Sequence, residues 1–328
     1  MNQLPTRKTR ALITGGAGFI GSHLAEYLIA QGQKVHVVDD LSTGSIENLD
    51  ALRKHPDFGH TVADVRDQAL MAELVDRADV VYHLAAAVGV RLIVENPVRT
   101  IETNVGCTEV VLKLANKKGK KVVVASTSEI YGKNDAVPFR EDHDLVMGPT
   151  NKARWSYACS KAIDEFLALA YHRSRGLPVV LARLFNTVGP RQTGRYGMVL
   201  PTFVRQALMG QDITVFGDGT QSRCFSYVGE VVQCLAALAA CQKAEGKVVN
   251  VGSCMEISIS DLAKMVKKMT NSDSKIVKVP YDQAYQQGFE DMARRVPDVS
   301  LLESLVGMSP KKDISQIVSI VIRYFREN

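Results

Sequence analysis

The sequence predicts an α/β protein built on a doubly wound parallel sheet, followed by a smaller C-terminal lobe. Three observations carry that prediction. Short apolar runs alternate with amphipathic stretches of helical period through the first half, the rhythm of βαβ units. The first run, ending at Thr14, leads into glycines at 15, 18 and 21 just as an amphipathic stretch begins at Phe19. Beyond about residue 185 the rhythm loosens, and polar turns such as Gly217-Asp-Gly-Thr-Gln-Ser222 interrupt it.

In chain order, strands are expected at 11–14, 34–39, 60–63, 80–84, 121–126 and 179–183, and helices at 19–30, 68–76, 97–117 and 157–175. The apolar run before Thr14 suits a strand covered on both faces. The later part is expected to hold helices at 199–209, 229–241, 258–269 and 314–325 with short strands at 247–251 and 275–279. The first domain is placed at 1–185, with parts of 210–255 returning to it, and the second lobe at 186–328. The polar segment 281–291 is expected to be a surface loop or lid. Ligands in such sheets bind beyond the carboxyl ends of the strands. The loops that matter are therefore 15–18, 39–44, 64–66, 85–90, 127–132 and 186–195.

The glycines have a physical use in a Rossmann-type dinucleotide site. Gly15 permits the tight turn, Gly18 lets backbone approach a pyrophosphate, and Gly21 lets helix pack on strand. Phe19 and Ile20 open the helix whose free N–H groups face the anion. The next strand ends at Asp39, 18 residues after Gly21, where a carboxylate can accept bonds from an adenosine ribose. That charge would repel a 2′-phosphate, which favours NAD over NADP. Asp40 is adjacent, so either acid could make the bond, and Ser42 and Gly44 share the loop.

Tyr157 and Lys161 stand four residues apart in Trp155-Ser-Tyr-Ala-Cys-Ser-Lys161, so on a helix they share a face. An ammonium beside a phenol favours the phenolate and lowers its pKa, which would let Tyr157 act as a base near neutrality. The other reading of the pair is a solvated helix face.

Composition narrows the function classes. The chain has 328 residues, 46% hydrophobic, with a net charge of +5. No apolar run approaches the ~18 residues of a membrane span, and no secretory signal core opens the sequence. The six cysteines show no C-x-x-C spacing, which fits reduced thiols in the cytoplasm. Lys117, Lys118, Lys120 and Lys121 suit a helix end better than a nucleic-acid surface. The histidines form no metal constellation, and no metal is expected.

Taken together, these residues resemble the extended short-chain dehydrogenase/reductases, and within them the NAD-dependent nucleotide-sugar epimerases, dehydratases and decarboxylases. The motifs are Thr14-Gly-Gly-Ala-Gly-Phe-Ile-Gly21, Asp64-Val-Arg66, Tyr82-His-Leu-Ala-Ala86, Asn104, Ala125-Ser-Thr-Ser-Glu-Ile-Tyr-Gly132, the Tyr157/Lys161 pair, Leu184-Phe-Asn-Thr-Val-Gly-Pro-Arg191 and Gly217-Asp-Gly-x-Gln-Ser-Arg223. The resemblance implies that Asp64 and Val65 hold the adenine edge, and that Leu84, Ala85, Ala86 and Asn104 line the cofactor. Lys161 would bond the nicotinamide ribose and Thr127 would assist at the sugar hydroxyl. It further implies substrate contacts from Ser128, Asn186 and Arg191, and diphosphate contacts from Arg223 and Arg295. For Asn104 and Asn186 the other reading is backbone pinning, and for Arg294 and Arg295 it is surface charge.

In the family mechanism Tyr157 takes the C4 hydroxyl proton while NAD accepts a hydride, giving a 4-keto sugar. Thr127-Ser-Glu129 resembles the UDP-glucuronate decarboxylases. Dehydratases of the family carry Asp-Glu there, and simple epimerases carry small residues in place of Glu129, whose other reading is packing or capping. The expected activity is UDP-glucuronate decarboxylation to UDP-xylose. UDP-glucose (or UDP-glucuronate) 4-epimerisation is the close alternative, and 4,6-dehydration or a non-catalytic NAD sensor the more distant ones. The loop Ala85-Ala-Ala-Val-Gly-Val-Arg91 and the lone acid in Gly229-Glu230 depart from the family pattern. The resemblance also implies a homodimer through the helices at 97–117 and 157–175; Ala162, Phe166, Leu169 and Ala170 allow it and would equally suit a buried core.

Overall fold

The structure is a computed structural model, described for residues 7–89, 96–194, 198–280, 292 and 294–328. A seven-stranded sheet runs β11-β6-β5-β4-β1-β2-β3. Its strands are β1 (Arg10–Thr14), β2 (Lys34–Asp39), β3 (Phe58–Val62), β4 (Val80–His83), β5 (Lys121–Thr127), β6 (Val179–Leu184) and β11 (Lys247–Val251). Every pairing within it is parallel. The order reverses between β1 and β4, which creates the crevice where such sheets take their ligands.

The helices are α1 (Phe19–Ala30), α2 (Gln68–Arg77), α3 (Pro97–Lys118), α4 (Arg154–Arg175), α5 (Val199–Leu208), α6 (Val228–Ala240), α7 (Ile259–Thr270), α8 (Ser300–Val306) and α9 (Ile314–Glu327). Alternation along β1 sets the two faces of the core. Ala11 and Ile13 pack with Leu24 and Leu28 of α1 and Leu235 of α6. Leu12 points the other way, toward Met71 of α2, Val111 of α3 and Ala168 of α4. Truncating a fully buried leucine such as Leu24 would cost about 2–5 kcal/mol. A separate cluster joins α5, α7 and α9 around Phe203, Leu262 and Val318, with Val215 of β8 (Ile213–Phe216).

The remaining strands are short: β7 (Thr187–Val188), β9 (Ser222–Cys224), β10 (Ser226–Tyr227), β12 (Glu256–Ser258) and β13 (Ile276–Val279). They form three two-stranded ladders, β10-β7, β12-β9 and β13-β8. The helix of Tyr157 starts at Arg154 rather than at the tyrosine itself. That places Arg154 in the first turn, three residues before Tyr157 and on its side of the helix. Segment 281–291 and loop residues 90, 91 and 195 lie outside the described residues. Among the described residues no helix is long and apolar enough to cross a membrane, and no group of acids, histidines and cysteines is gathered for a metal.

Candidate active site

Two sites meet at the carboxyl ends of β1, β4 and β5. The first is the glycine loop. Gly15 takes φ +70°, and a Cβ on Gly21 would overlap the Gly15 carbonyl oxygen, so both positions need glycine. Gly18 caps α1 with no side-chain hydrogen bond, and the first turn, Phe19 and Ile20 included, carries no acid. An anion is thus welcome there. Asp39 is buried and faces this loop. Its Oδ2 accepts the Ala17 N–H at 2.9 Å and its Oδ1 the Leu41 N–H at 2.8 Å. Burial pushes its carboxyl above the ordinary range, while the amide bonds oppose that rise. Each carboxylate oxygen keeps acceptor capacity for ribose hydroxyls.

Asp40 instead is exposed and accepts the Ser42 N–H, so of the two acids Asp39 is the one turned to the glycine loop. Gly44 closes on the same loop, since a Cβ there would sit 2.9 Å from the Ala17 carbonyl. Asn48, which the sequence reading missed, donates to the Ala17 carbonyl at 2.8 Å. Asp64 clamps Arg66, with its Oδ1 3.0 Å from Nε and its Oδ2 2.5 Å from Nη2; these bonds hold its carboxyl below the usual range. Val65 is buried beside it. Leu84, Ala85 and Ala86 leave β4 half-buried, and the Ala85 N–H reaches Thr14 Oγ1 at 3.3 Å. A dinucleotide fits these residues: a side-chain-free cradle, an uncapped helix start and a carboxylate one strand away.

The second site surrounds Tyr157. Thr127 ends β5 and caps a single helical turn, Ser128–Tyr131, by accepting the Glu129 N–H at 3.2 Å. Its hydroxyl also bonds Tyr157. Ser128 is buried in this turn. Glu129 lies between two buried arginines: Arg295 Nη1 is 3.2 Å from its Oε1 and Arg154 Nη2 is 3.8 Å from its Oε2. Arg154 also lies over the Trp155 ring, 5.6 Å from its centroid. Glu129 thus pairs with two arginines as well as standing in the capped turn.

The Tyr157 phenol is held above its ordinary value, not below it as its spacing from Lys161 led one to expect. Burial pushes the Tyr157 phenol well above its ordinary value, and the Glu129 and Asp164 carboxylates push the same way. The Thr127 bond and the Arg295 charge oppose them. The Lys161 ammonium is engaged elsewhere, 2.7 Å from Asp164 Oδ2. Below the site, Arg183 Nε and Nη2 grip Glu165 of α4 at 3.0 and 2.8 Å. Arg183 Nη1 donates to Tyr131, whose hydroxyl donates in turn to Asn250 at 2.8 Å. Ser126 donates to Glu165 at 2.5 Å. This buried network locks the Tyr157 helix to the Thr127 turn.

Other expected contacts resolve differently. Asn104 accepts the Ala87 N–H at 2.7 Å and donates to Ser160 at 3.1 Å, so it pins the loop after β4 to α4, the backbone reading. Asn186 donates to the Cys224 carbonyl at 3.3 Å. Arg191 pairs with Glu26 of α1 at 2.5 Å rather than joining the Tyr157 cluster. Arg223 is buried on β9 and donates to the Ser222 carbonyl. Arg295, expected on the phosphate side, is buried and pairs with Glu129. Arg294 stays outside in a two-bond pair with Glu256, at 2.9 and 2.8 Å. Glu230 accepts the N–H groups of Lys311 and Lys312, a structural task that needs one carboxylate.

The chain is similar to known nucleotide-sugar enzymes along nearly its whole length. The family model described as GDP-mannose 4,6 dehydratase matches residues 12–321. The UDP-N-acetyl-alpha-D-glucosaminuronate decarboxylase of Bacillus cytotoxicus is 44% identical over 98% of each chain. UDP-glucuronic acid decarboxylase 1 of Xenopus tropicalis is 34% identical over 98% of this chain and 73% of its own. Among solved structures, a Thermus thermophilus UDP-glucose 4-epimerase complexed with NAD superposes with a TM-score of 0.84, at 30% identity, over 97% of this chain and 99% of its own.

Proposed function

The chain belongs to the GDP-mannose 4,6-dehydratase family of NAD-dependent nucleotide-sugar enzymes, and we propose that its own reaction is decarboxylation of UDP-glucuronate to UDP-xylose and CO₂. One observation carries the choice: Glu129 is held between Arg154 and Arg295 beside Tyr157. A sugar carboxylate entering there would meet two guanidiniums, whose planar donors suit a second carboxylate. Ser128 offers no acid for eliminating a C6 hydroxyl.

Bound NAD supplies the hydride acceptor for oxidation at C4 and the donor for its return. Gly15, Gly18, Phe19, Ile20 and Gly21 would hold its pyrophosphate, Asp39, Ser42 and Gly44 its adenosine ribose, and Asp64 and Val65 its adenine. Leu84, Ala85 and Ala86 would line the nicotinamide side, with Lys161 at the ribose. Tyr157 takes the C4 hydroxyl proton, helped by the Thr127 hydroxyl. The resulting 4-ketone makes the C6 carboxylate a β-keto acid. As CO₂ leaves, the C5–C6 electron pair moves onto the C4 oxygen, where the Tyr157 and Thr127 hydroxyls donate to the growing charge. The enolate then takes a proton from water at C5, and the 4-ketone is restored for reduction. Arg154 and Arg295 orient the carboxylate so that its bond to C5 can break. Ser128, Asn186, Arg191 and Arg223 remain proposed contacts to the rest of the UDP-sugar.

The 44% relative supports adding the 2-acetamido analogue to the substrate panel. A second copy of the chain would cover the exposed Val98, Ile101, Ile163 and Phe166 on α3 and α4, forming a four-helix dimer. A cytoplasmic location fits the six free cysteines. NMR of a UDP-sugar panel tests the reading. It expects UDP-xylose from UDP-glucuronate. Untouched UDP-glucuronate, with UDP-glucose and UDP-galactose interconverted, would replace it with 4-epimerisation.

A further inference from the structure

The Lys161 ammonium ends a buried chain of side chains that the reaction scheme above does not use. Asp164, one turn along α4, holds it at 2.7 Å, with side-chain exposures of 3% and 0% for the lysine and the acid. Thr108 of α3 sets its hydroxyl against the same carboxylate. Asp164 Oδ1 has no hydrogen-bond partner of ordinary geometry. Thr108 Oγ1 is 3.0 Å from His83 Nε2, and His83 Nδ1 is 2.7 Å from Thr14 Oγ1. Thr14 is the last residue of β1, immediately before Gly15. Four buried side chains from four elements thus join the Lys161 ammonium to the foot of the dinucleotide cradle.

We propose that Asp164 is the positioning residue of Lys161, and that Thr108 and His83 form the relay that holds Asp164 against the Thr14 end of the cradle. The inference rests on C4 oxidation by Tyr157, the step shared by every reaction considered for this site, and is indifferent to which product follows.

The polarity of the relay is set from its anionic end. Asp164 can only accept, so Thr108 donates to it. The Thr108 oxygen then accepts from His83, which puts the proton on Nε2. His83 Nδ1 is left as an acceptor, and the Thr14 hydroxyl donates to it. Complete burial keeps this imidazole neutral, with its pKa driven down to about 3. A neutral ring can serve as donor and acceptor at once, which the relay requires. A simpler structural role for Asp164 is already filled by its neighbour: Glu165 anchors α4 through Arg183 and Ser126.

The charged groups around this assembly fix the sign of a test. Tyr157 feels Glu129 from the β5 turn, Asp164 from α4 and Arg295 from the C-terminal part. Asp164 itself faces Lys161 and Glu165 on its own helix. From α3 it meets Thr108 and bears on the Cys107 thiol, and from β4 His83 stands behind Thr108. Asp164 pushes the Tyr157 phenol upward. Removing its charge therefore makes Tyr157 easier to deprotonate, and the acid limb of the rate profile moves to lower pH. A lysine released from its anchor also loses alignment, and misplacement on the ångström scale costs roughly 10–100-fold in rate.

The test uses NAD-loaded enzyme and the variants Asp164→Asn, Thr108→Val and Thr108→Ser. Asp164→Asn is expected to lower kcat roughly 10–100-fold with KM for the sugar little changed, and to move the acid limb down. Thr108→Val should act in the same direction and Thr108→Ser should restore wild-type behaviour. Independently of turnover, ¹⁵N NMR of the histidines should find His83 neutral and protonated at Nε2 across the neutral range, and changed in Thr108→Val. An unmoved acid limb in Asp164→Asn, or a His83 protonated at Nδ1 in the wild type, overturns the proposal. Failure of the decarboxylase reading looks different: it is an absent product in the wild-type enzyme, with the His83 tautomer intact.

Discussion

Glu129 and Arg295 are 166 residues apart in the chain and 3.2 Å apart in the fold. Arg154 completes the arrangement from the other side at 3.8 Å. Both guanidiniums are buried and the carboxylate between them is half-buried, so each ion depends on its partners. Arg295 also bears on the Tyr157 phenol, where a charged sugar must be oriented.

Removing the carboxylate should separate the reactions. Glu129→Gln is expected to lower CO₂ release at least about 100-fold, the scale of a lost acid–base or orienting group. Residual 4-epimerisation, if any substrate supports it, should survive. Parallel assays with UDP-glucuronate and UDP-glucose check this, and equal losses in both would contradict it.

Asn104 gives a stability prediction. Its side chain satisfies the buried Ala87 N–H, and Asn104→Ala would strand that donor. The expected loss is about 1–3 kcal/mol in urea unfolding. Because Asn104 pins backbone, NAD affinity should fall far less than it does in a cradle variant. A stable Asn104→Ala that has lost NAD would instead make Asn104 a cofactor contact.

Gly21→Ala is that cradle variant. The new Cβ collides with the Gly15 carbonyl, so helix and strand must separate. NAD binding by calorimetry should be lost, with about 1–3 kcal/mol of stability lost through overpacking.

His23 predicts the acid side of the stability curve. Burial lowers its pKa from 6.5 to about 4, with the Arg191 charge adding to the effect and the bond to the Phe19 carbonyl opposing it. A base depressed in the fold contributes stability above its unfolded pKa and loses it as pH falls toward its folded one. The window is therefore pH 6.5 down to about 4, and the loss across it about 3 kcal/mol at 1.36 kcal/mol per unit. Thermal melts of His23→Gln should fall less steeply across that window than the wild type.

Much of the fold was legible because its signals are local. The helix at 19–30 and the strands at 34–39 and 247–251 follow directly from period and flanking turns, and match α1, β2 and β11. The start of α4 was displaced by three residues because Ala153 caps it without a side-chain bond, leaving no capping signal to read. Strands β7, β9, β10 and β12 have two or three residues each, too few to display alternation. In the site, Asp39, Thr127 and Tyr157 were readable from motif and spacing. Arg154 and Asp164 were readable in principle, since each lies three residues from a residue already singled out and shares its helical face. The Glu129–Arg295 contact was not, because nothing local in either segment encodes a meeting across 166 residues. The direction of the Tyr157 shift was misjudged because spacing reveals a neighbouring ammonium but not the burial, which pushes hardest on the phenol, nor the Glu129 and Asp164 carboxylates that add to it.

The central claim is that this site removes the C6 carboxylate of a UDP-hexuronate after Tyr157 initiates oxidation at C4. It is tested most directly with UDP-glucuronate carrying ¹³C at C6, incubated with the NAD-loaded enzyme. The account predicts ¹³CO₂ together with unlabelled UDP-xylose, and neither product from Tyr157→Phe. Label retained in a UDP-hexuronate, whether unchanged or inverted at C4, would contradict it.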